Sequence, residues 1–418
     1  MDIKYKDSGI DWINRIPVSW EVSRMKFLAS YINGFAFKPE DWSSEGLPII
    51  RIQDLSGSND SPNYYEGVID NKYLVHKGDI LISWAATLDA FVWEKEDGWL
   101  NQHIFKAEIY PNTNKRYFYW LAKIAMLNMN NDNKHGIFMQ HVTTGIFNNF
   151  CVPLPPLPEQ QIIANFLDEK CGEIDSLIGL QQKMIDKLKS YKQSIISEAV
   201  TRGLNTTAMK ESGIDWVKTI PTHWNVVTPK ALFSLRKDKA KDGERQLTAS
   251  QQYGVIYQDE YMQLTGSKIV TVMKDFDILK HVESGDFVIS MRSFQGGLEY
   301  SENTGSISSA YVMLIPNPKY VYPKFYRWLF KSSFYINALQ STSNMVRDGQ
   351  AMRYSNFVQV PLYVVPLSEQ EEIASYLDEK CAYIDRLIDL KQQKIEKLKS
   401  YKKSIIYEAV TGKLDLCN

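Results

Sequence analysis

The chain has 418 residues and a formal net charge of −1, from 48 Lys and Arg against 49 Asp and Glu. This length indicates two or three domains, and a hydrophobic content of 44% excludes a disordered chain. No apolar run approaches the length of a membrane-spanning helix and no signal-peptide core is present, so the sequence predicts a cytoplasmic protein.

The first element in the chain is a short leading segment that occurs twice. DSGIDWINRIPVSW, Asp7–Trp20, returns as ESGIDWVKTIPTHW, Glu211–Trp224, 204 positions later. Two tryptophans recur in each copy, and we predict that they anchor the segment by packing: Trp12, Trp20, Trp216 and Trp224.

A divergent domain follows each leading segment, but its pattern of elements is shared. Each domain is predicted to contain a strand, a Gly-Asp turn and a second strand: Tyr73–Val75 with Ile80–Ser83, and His281–Val282 with Phe287–Ser290. A further strand, an aromatic helix and a last strand complete each domain, the helices being Tyr117–Lys123 and Phe325–Lys331. Both domains are therefore predicted to be mixed α+β.

The next element is a long helix that also occurs twice, at Glu159–Thr201 and Glu369–Thr411, with about two-thirds of the paired residues identical. Apolar residues keep a spacing of three and four and form one seam per helix: Ile174, Ile178, Ile185, Leu188, Ile195, Ile384, Ile388, Ile395, Leu398 and Ile405. Polar residues interrupt the seam at Gln181, Lys192, Lys391 and Lys402. Each helix could pack on its own domain alone, but two narrow matching seams favour a paired coiled coil.

The four cysteines show no CxxC pattern, and two of them, Cys171 and Cys381, hold the same place in the repeated helix. We predict that these two are small buried apolar residues in a reducing compartment.

The complete chain is a tandem duplication with four predicted parts. They are a first domain with its leading segment at 1–155, a first long helix at 156–204, a second domain at 205–365 and a second long helix at 366–418. The repeated segments and helices are expected to contact the same partner twice, such as each other or two copies of one protein. The two divergent domains are expected to contact two different partners. A duplicated reader of two different short sequences fits this pattern.

These residues resemble the specificity (S) subunit of bacterial type I restriction-modification systems. The resemblance rests on SGIDWINRIPVSW and SGIDWVKTIPTHW in the leading segments, KGDILIS and SGDFVIS inside the domains, and PLPPLPEQQIIANFLD and PLSEQEEIASYLD at the helix starts. It covers essentially the whole chain in the family's order.

The resemblance implies an α+β fold with two mixed α/β target recognition domains, joined by two long helices that pair as an antiparallel coiled coil in a pseudo-two-fold duplication. Each domain would read one half of a bipartite, asymmetric site in double-stranded DNA, and the helices would set the spacer. Two adenine-N6 methyltransferase subunits would dock on the conserved regions, with restriction subunits as further members of the complex. The S subunit would perform no chemistry and bind no cofactor, while its partners would use S-adenosylmethionine, and ATP with magnesium for restriction.

Catalytic motifs in the chain itself are weak. It has no GxxxxGK[ST] loop, and its six histidines form no metal-ligand spacing. Asn317–Tyr320 lacks the second proline of an adenine methyltransferase motif. The triplets Asp168–Lys170 and Asp378–Lys380 resemble a nuclease D/ExK sequence, but a solvated helix face explains them better.

Residues that read DNA are expected in the divergent domains, because Arg and Gln can pair with base edges and Lys, Ser and Thr with phosphates. The candidates are polar residues in predicted loops: Lys38, Arg51, Gln53, Ser83, Thr87, Gln102, His103, Lys134, Gln140, His141, Thr143 and Thr144 in the first domain, and Arg236, Lys237, Lys239, Arg245, Gln251, Gln252, Tyr253, Arg292, Ser293, Gln295, Arg347 and Arg353 in the second. For each of them a solvated side chain that touches nothing is the competing interpretation.

Charge gives DNA binding little support. Residues 1–150 hold 15 Lys and Arg against 18 Asp and Glu, and residues 205–366 hold 18 against 14. Any DNA-bound complex would therefore need a partner to neutralise phosphates. Two alternatives stay open at this point: a scaffold that reads no DNA, which near-neutral charge favours, and a self-sufficient nuclease or methyltransferase, which the missing motifs oppose.

Overall fold

The structure is a computed structural model that describes residues 4–57, 61–132, 142–205, 208–269, 278–290, 293–342 and 352–416. It divides into two compact units, each containing one divergent domain. Unit 1 comprises Met1–Gln182 with Gln393–Asn418, and unit 2 comprises Lys183–Gln392. Each unit thus includes one half of each long helix.

Among the residues that the structure describes, the first divergent domain and its leading segment contain twelve strands: β1 Tyr5–Ile10, β2 Ile13–Pro17, β3 Glu21–Arg24, β4 Ala29–Asn33, β5 Leu47–Ile50, β6 Tyr64–Tyr65, β7 Leu74–Val75, β8 Ile80–Ser83, β9 Asp89–Val92, β10 Gly98–Leu100, β11 Ile104–Ile109 and β12 Cys151–Leu154. The helices are α1 Ile52–Ser56, α2 Lys115–Asp132, α3 Thr144–Asn149 and the first long helix, α4 Leu157–Arg202.

Two four-stranded sheets form the body of this domain. The antiparallel sheet has the order β4-β11-β8-β9, and the second sheet has the order β6-β5-β10-β7, in which β10 runs parallel to β5. The predicted strand-turn-strand is present as β7 and β8, joined through Gly78 in the left-handed region. The two strands belong to different sheets, so the turn carries the chain from one sheet to the other.

The second divergent domain and its leading segment have one four-stranded sheet and several two-stranded pairs. Their described strands are β13 Met209–Ile214, β14 Val217–Pro221, β15 Asn225–Val227, β16 Phe233–Arg236, β17 Leu247–Ser250, β18 Gly254–Tyr257, β19 Lys280–Val282, β20 Phe287–Ile289, β21 Glu299–Tyr300, β22 Gly305–Ile307, β23 Val312–Pro316 and β24 Leu362–Val364. Its helices are α5 Pro229–Leu232, α6 Gln258–Thr265, α7 Ser293–Gly296, α8 Pro323–Phe330, α9 Ser333–Ser341, α10 Tyr354–Phe357 and the second long helix, α11 Leu367–Val410.

The main sheet of the second domain has the order β16-β23-β20-β21, which matches β4-β11-β8-β9 of the first. The aromatic helices predicted from sequence are confirmed, since α2 contains the first and α8 contains the second up to Phe330, one residue short of its predicted end. Both pack fully buried rings into the domain cores, Tyr117 and Phe118 from α2 and Phe325 and Tyr326 from α8.

The leading segments form hairpins, β1 with β2 and β13 with β14, and the prediction that their tryptophans are packing anchors is confirmed. Trp20 and Trp224 are buried and donate their indole N–H groups to Glu159 and Glu369, near the starts of the long helices, at 2.6 and 3.2 Å. Their second tryptophans donate to backbone carbonyls of the same domain, Trp12 to Cys151 and Trp216 to Pro361.

The long helices bury the apolar seam. Of its members, Ile174, Ile185, Ile384, Ile395 and Ile405 are buried, while Ile178, Leu188, Ile195, Ile388 and Leu398 are half-buried. In unit 2, Lys391 contacts Met184 and Asp385 contacts Lys192, so the sequence order on one helix runs against that on the other. The predicted fold class, two mixed domains with long helices paired antiparallel, is confirmed. Cys171 and Cys381 are buried in the domain cores, as predicted.

Candidate nucleic-acid interface

One end of the antiparallel sheet in unit 1 gathers loops from distant parts of the chain. Strands β4 and β8 end there, at Asn33 and Ser83, and strands β9 and β11 begin there, at Asp89 and Ile104. Because neighbouring strands are antiparallel, the loops that follow or precede these four termini lie side by side. We call residues 33–35, 84–88, 101–103 and 142–144 the first loop cluster.

Backbone hydrogen bonds hold the first loop cluster together. Trp84 N–H donates to the carbonyl of His103 at 3.1 Å, and the carbonyl of Trp84 accepts from Val142 N–H at 3.1 Å. Gln102 N–H donates to the carbonyl of Phe35 at 2.8 Å. Trp84 therefore joins three loops through its own main chain.

The backbone is strained at this same place. Among the residues that the structure describes, Ala86 and His103 are the two non-glycine residues with positive φ, at 59° and 73°. A Cβ on Gly34 would lie 1.9 Å from the carbonyl oxygen of Asn101, so only glycine allows these two loops to approach so closely. Strained conformations tend to occur where a site needs a particular arrangement of side chains.

Several residues predicted from sequence come together here. Thr87, Thr143 and Thr144 are exposed, and Gln102 and His103 are half-buried. Thr143 also caps α3 by accepting the amide of Ile146 at 3.4 Å.

The second sheet adds further candidates at the margin of the cluster. Because β5 and β10 are parallel, Arg51 follows β5 where Asn101 follows β10, and Asn101 N–H donates to the carbonyl of Ile50. Arg51 stacks over Trp42 at 5.2 Å and donates to Asn63. Gln53 and Lys38 are exposed nearby in sequence, on α1 and three residues beyond Phe35.

The prediction that Ser83 contacts DNA is wrong. Ser83 is fully buried, and its hydroxyl donates to the carbonyl of Ala85, so it shapes the loop and cannot reach a phosphate. Lys134, Gln140 and His141 lie outside the described residues.

The second domain presents a cleft at the matching end of its main sheet. The turn of the β17–β18 hairpin meets the end of β20 and the start of β23 around a cavity of about 420 Å³. We call it the second-domain cleft, and it is lined by Ala249, Ser250, Gln251, Gln252, Tyr261, Ser290 and Tyr311. Of the candidates predicted from sequence, Gln251 and Gln252 line the cleft and Tyr253 follows them, its ring edge-on to that of Tyr261.

Two further predictions in the second domain are corrected. Ser293 is buried, and its hydroxyl accepts the amide of Ser290 at 2.8 Å. Arg236 forms a bidentate pair with Asp286, with its side chain 13% exposed, so it stabilises the sheet and is not available to a base.

The other basic candidates that the structure describes in the second domain are exposed. Arg245 is exposed but engages Asp259 and Glu260 and stacks 3.6 Å from the ring centre of Tyr257. Three more are exposed: Lys237, Lys239 and Arg353. Arg292 and Arg347 lie outside the described residues, as does the side chain of Gln295.

Sequence reasoning missed two residues of the first loop cluster. Trp84 Nε1 donates to Asn33 Oδ1 at 3.2 Å, and both side chains lie at the sheet end. The Asn33-Gly34 dipeptide is a strong turn signal between two strands, and it could have drawn attention to Asn33.

The nuclease-like triplets have a structural role. Asp168 accepts from Arg116 at 2.6 Å and from the indole of Trp120 at 2.8 Å, which fixes α4 to α2. In unit 2, Asp378 accepts equivalent bonds from Arg327 and Trp328 at 2.6 and 2.8 Å. Neither aspartate is free to hold a metal ion.

Within the described ranges, no group of three or more His, Cys, Asp or Glu side chains is arranged to hold a metal ion. None of the helices in the described part of the chain is both long and apolar enough to cross a membrane.

Two domains on one scaffold, each with loops gathered at the same sheet end and each fixed to a paired long helix, define a duplicated recognition protein. The chain belongs to the family of the type I restriction modification DNA specificity domain, which residues 17–190 and 221–400 match in two copies. Two matching segments confirm both the predicted family and the internal duplication.

Two relatives and a solved structure are similar to this chain over nearly its whole length. The type I restriction enzyme EcoBI specificity subunit of Escherichia coli is 26% identical, over 98% of this chain and 89% of that protein. The type I restriction enzyme MjaVIII specificity subunit of Methanocaldococcus jannaschii is 25% identical, over 97% of this chain and 95% of that protein. A chain solved in work on complex assembly and conformational transition of the type I R-M system has a TM-score of 0.69 at 14% identity, covering 96% and 99%, and so has the same fold.

Family membership decides between the classes of function. Specificity subunits are the non-catalytic DNA-recognition subunits of type I systems. The self-sufficient nuclease or methyltransferase is thereby excluded.

Proposed function

We propose that this chain recognises a bipartite, asymmetric site in double-stranded DNA and directs adenine-N6 methyltransferase subunits to it. Each divergent domain reads one half-site, and the paired long helices set the spacer between them. One observation carries the proposal: the two domains share a sheet order but present different side chains at the same sheet end. Asn33, Gln102 and His103 occupy that end in the first domain, and Gln251 and Gln252 occupy it in the second.

The chemistry of these side chains supports base reading. Amide groups of Asn and Gln offer a donor and an acceptor that match base edges, and threonine hydroxyls suit phosphates. With a net charge of −1 the chain has no excess of positive charge to neutralise phosphates, so binding strength comes largely from the partner subunits.

The length of the helices supports a spacer. Helix α4 has 46 residues and α11 has 44. At about 1.5 Å per residue each spans roughly 65–70 Å, which is about two turns of DNA at roughly 34–36 Å per turn. Helices of this length fit half-sites that are separated by unread base pairs.

Exposed apolar residues on the long helices support two copies of one partner. Leu180 and Leu390, which are equivalent, are 55% and 60% exposed, and the equivalent Tyr191 and Tyr401 are 59% and 57% exposed. The same side chains left uncovered in both repeats suit two identical methyltransferase subunits. Restriction subunits complete the system. Cofactors belong to these partners: S-adenosylmethionine to the methyltransferase, and ATP with magnesium to the restriction subunit.

The test is methylation mapping by single-molecule sequencing, with this chain co-expressed with its cognate methyltransferase in a methylation-free host. We expect a single bipartite motif with one methyladenine on each strand. A complex that assembles with an active partner and yields no new methylation would support the scaffold instead.

A further inference from the structure

We propose that Asn33 reads an adenine in the half-site of the first domain and that Trp84 orients it for this task. The inference rests on the proposed function, because it requires the first loop cluster to face DNA. In this proposal Asn33 determines the specificity, Trp84 positions it, and adenine is the base that is selected.

The amide of Asn33 has a defined orientation. Its Oδ1 accepts the indole N–H of Trp84 at 3.2 Å. An indole nitrogen only donates, so the oxygen must face Trp84 and the Nδ2 group must point away from it. Asn33 is exposed, so the two N–H bonds of Nδ2 and the remaining lone pair of Oδ1 are presented at the surface.

That pattern matches one base in the major groove. Adenine presents N7 as an acceptor next to the N6 amino group as a donor, and an asparagine amide pairs with both at once. Guanine presents two acceptors at the same positions, which an amide can satisfy only once. The fixed acceptor and donor of Asn33 therefore favour adenine.

Trp84 is held firmly enough to orient its partner. Its main-chain N–H and carbonyl are both bonded to neighbouring loops. Its ring lies edge-on to His103 with centroids 4.7 Å apart and is stacked on Phe105 at 5.8 Å. A side chain can discriminate between bases when packing and hydrogen bonds to supporting residues fix its orientation.

The main chain of Asn33 is fixed as well. Asn33 is paired with Phe105 at the end of β4, and Gly34 N–H donates to the carbonyl of Ile104 at 3.1 Å. Gly34 also allows the close approach to Asn101. Of the two strained residues, Ala86 lies in the same loop as Trp84 and His103 lies in the neighbouring loop. Strain and close packing thus converge on the pair formed by Asn33 and Trp84.

The competing role for Asn33 is to satisfy the indole of Trp84 and nothing more. Asn33→Asp separates the two roles, because its carboxylate still accepts from the indole but has no donor for N7. Trp84→Phe keeps a packed ring but removes the donor that orients the amide. Asn112→Ala is the matched control, since Asn112 is an exposed asparagine beyond the opposite end of β11.

The experiment uses the complex of this chain with its methyltransferase and a panel of duplexes, each with one base pair of the mapped site replaced. For the unsubstituted chain we expect roughly tenfold or greater discrimination in Kd for A·T at one position of the first half-site. Asn33→Asp should bring that ratio close to one, with the second half-site unchanged. Trp84→Phe should give a smaller loss at the same position, and Asn112→Ala should give none.

Three results would overturn the inference. They are unchanged discrimination in Asn33→Asp, a loss at a G·C position, and an equal weakening at every position of both half-sites in an assembled complex. All three leave the proposed function standing. If the unsubstituted complex has no bipartite site at all, the proposed function itself has failed, and methylation mapping reveals that independently.

Discussion

Lys192 Nζ lies 2.6 Å from Asp385 Oδ2 across the pair of long helices, and the equivalent Lys402 Nζ lies 2.6 Å from Asp175 Oδ2. Both lysines interrupt the apolar seam, and each side chain is 22% exposed. A half-buried ammonium group needs a carboxylate partner, and these carboxylates are opposite it only in one register of the antiparallel pair. The ion pairs therefore specify register in a seam whose aliphatic residues would tolerate others.

The first prediction concerns the coupling energy between Lys192 and Asp385. A double-mutant cycle with Lys192→Met and Asp385→Ala should give a coupling of about 0.5–1 kcal/mol in the free energy of unfolding, measured in urea. The coupling is modest because Asp385 is 53% exposed and water screens it. Lys192→Met alone should cost little, since methionine suits an apolar seam. A coupling of zero would remove the register role, and the exposed Lys189 provides the control substitution.

The second prediction concerns Asp168. Asp168→Ala leaves the guanidinium of Arg116 and the indole of Trp120 without their acceptor, and should lower the free energy of unfolding by about 1–3 kcal/mol. Asp168→Asn, which keeps one acceptor, should cost less and leave the methylated motif unchanged.

Glu169→Gln is the matched control for Asp168, because Glu169 is exposed on the next position of α4. It should change the stability by less than about 0.5 kcal/mol. A folded Asp168→Asn complex that assembles but has lost only a strand-cleavage activity would contradict the structural role.

The third prediction concerns the cysteines of the repeated helix. Burial raises the pKa of Cys171 and of Cys381, each to about 11. At pH 8 roughly one thiol in a thousand is ionised, and the thiolate is the reactive form. Iodoacetamide should therefore leave both unmodified in the native protein and modify both in urea, as mapped by mass spectrometry. Rapid native modification of either cysteine would contradict its burial.

Sequence patterns located the elements well, because seams and aromatic helices have local periodicity. They could not assign partners to short strands: β7 and β8 are adjacent in sequence, yet each pairs in a different sheet. Residue type could not reveal burial either, since Arg236 in a charged loop sequence turned out to pair with Asp286. Ser83 and Ser293 were misassigned for the same reason, and Asn33 was missed because its role depends on Trp84, fifty-one positions away.

The fourth prediction is a pH dependence that arises from Glu299. This residue is buried beside Lys331, whose Nζ lies 2.6 Å from Oε1, and burial raises the pKa of the carboxyl although the lysine opposes the shift. The folded state then holds the proton more tightly than the unfolded state. The free energy of unfolding should therefore fall as pH rises from the ordinary glutamate value, about 4.3, towards the raised one.

Glu299→Gln removes this titration. Urea unfolding of both proteins from pH 4 to 7 should show a stability difference, unsubstituted minus Glu299→Gln, that decreases as pH rises. An increase over the same range would mean that the attraction of Lys331 outweighs burial.

The fifth prediction tests the helices as a ruler. Seven residues inserted after Lys183 in α4, and seven after Gln393 at the equivalent place in α11, should lengthen the spacer by about three base pairs. A heptad keeps the seam in phase, and seven residues add about 10.5 Å, against roughly 3.4 Å per base pair. Methylation mapping should show both half-sites unchanged, because the insertion touches neither the first loop cluster nor the second-domain cleft. The same insertion in α4 alone is the control. It shifts Lys192 away from Asp385 and should destabilise the pair without producing a longer spacer. If the doubly extended protein folds and methylates at the original spacing, then the distance between half-sites is set elsewhere, and the long helices serve only to dock partners.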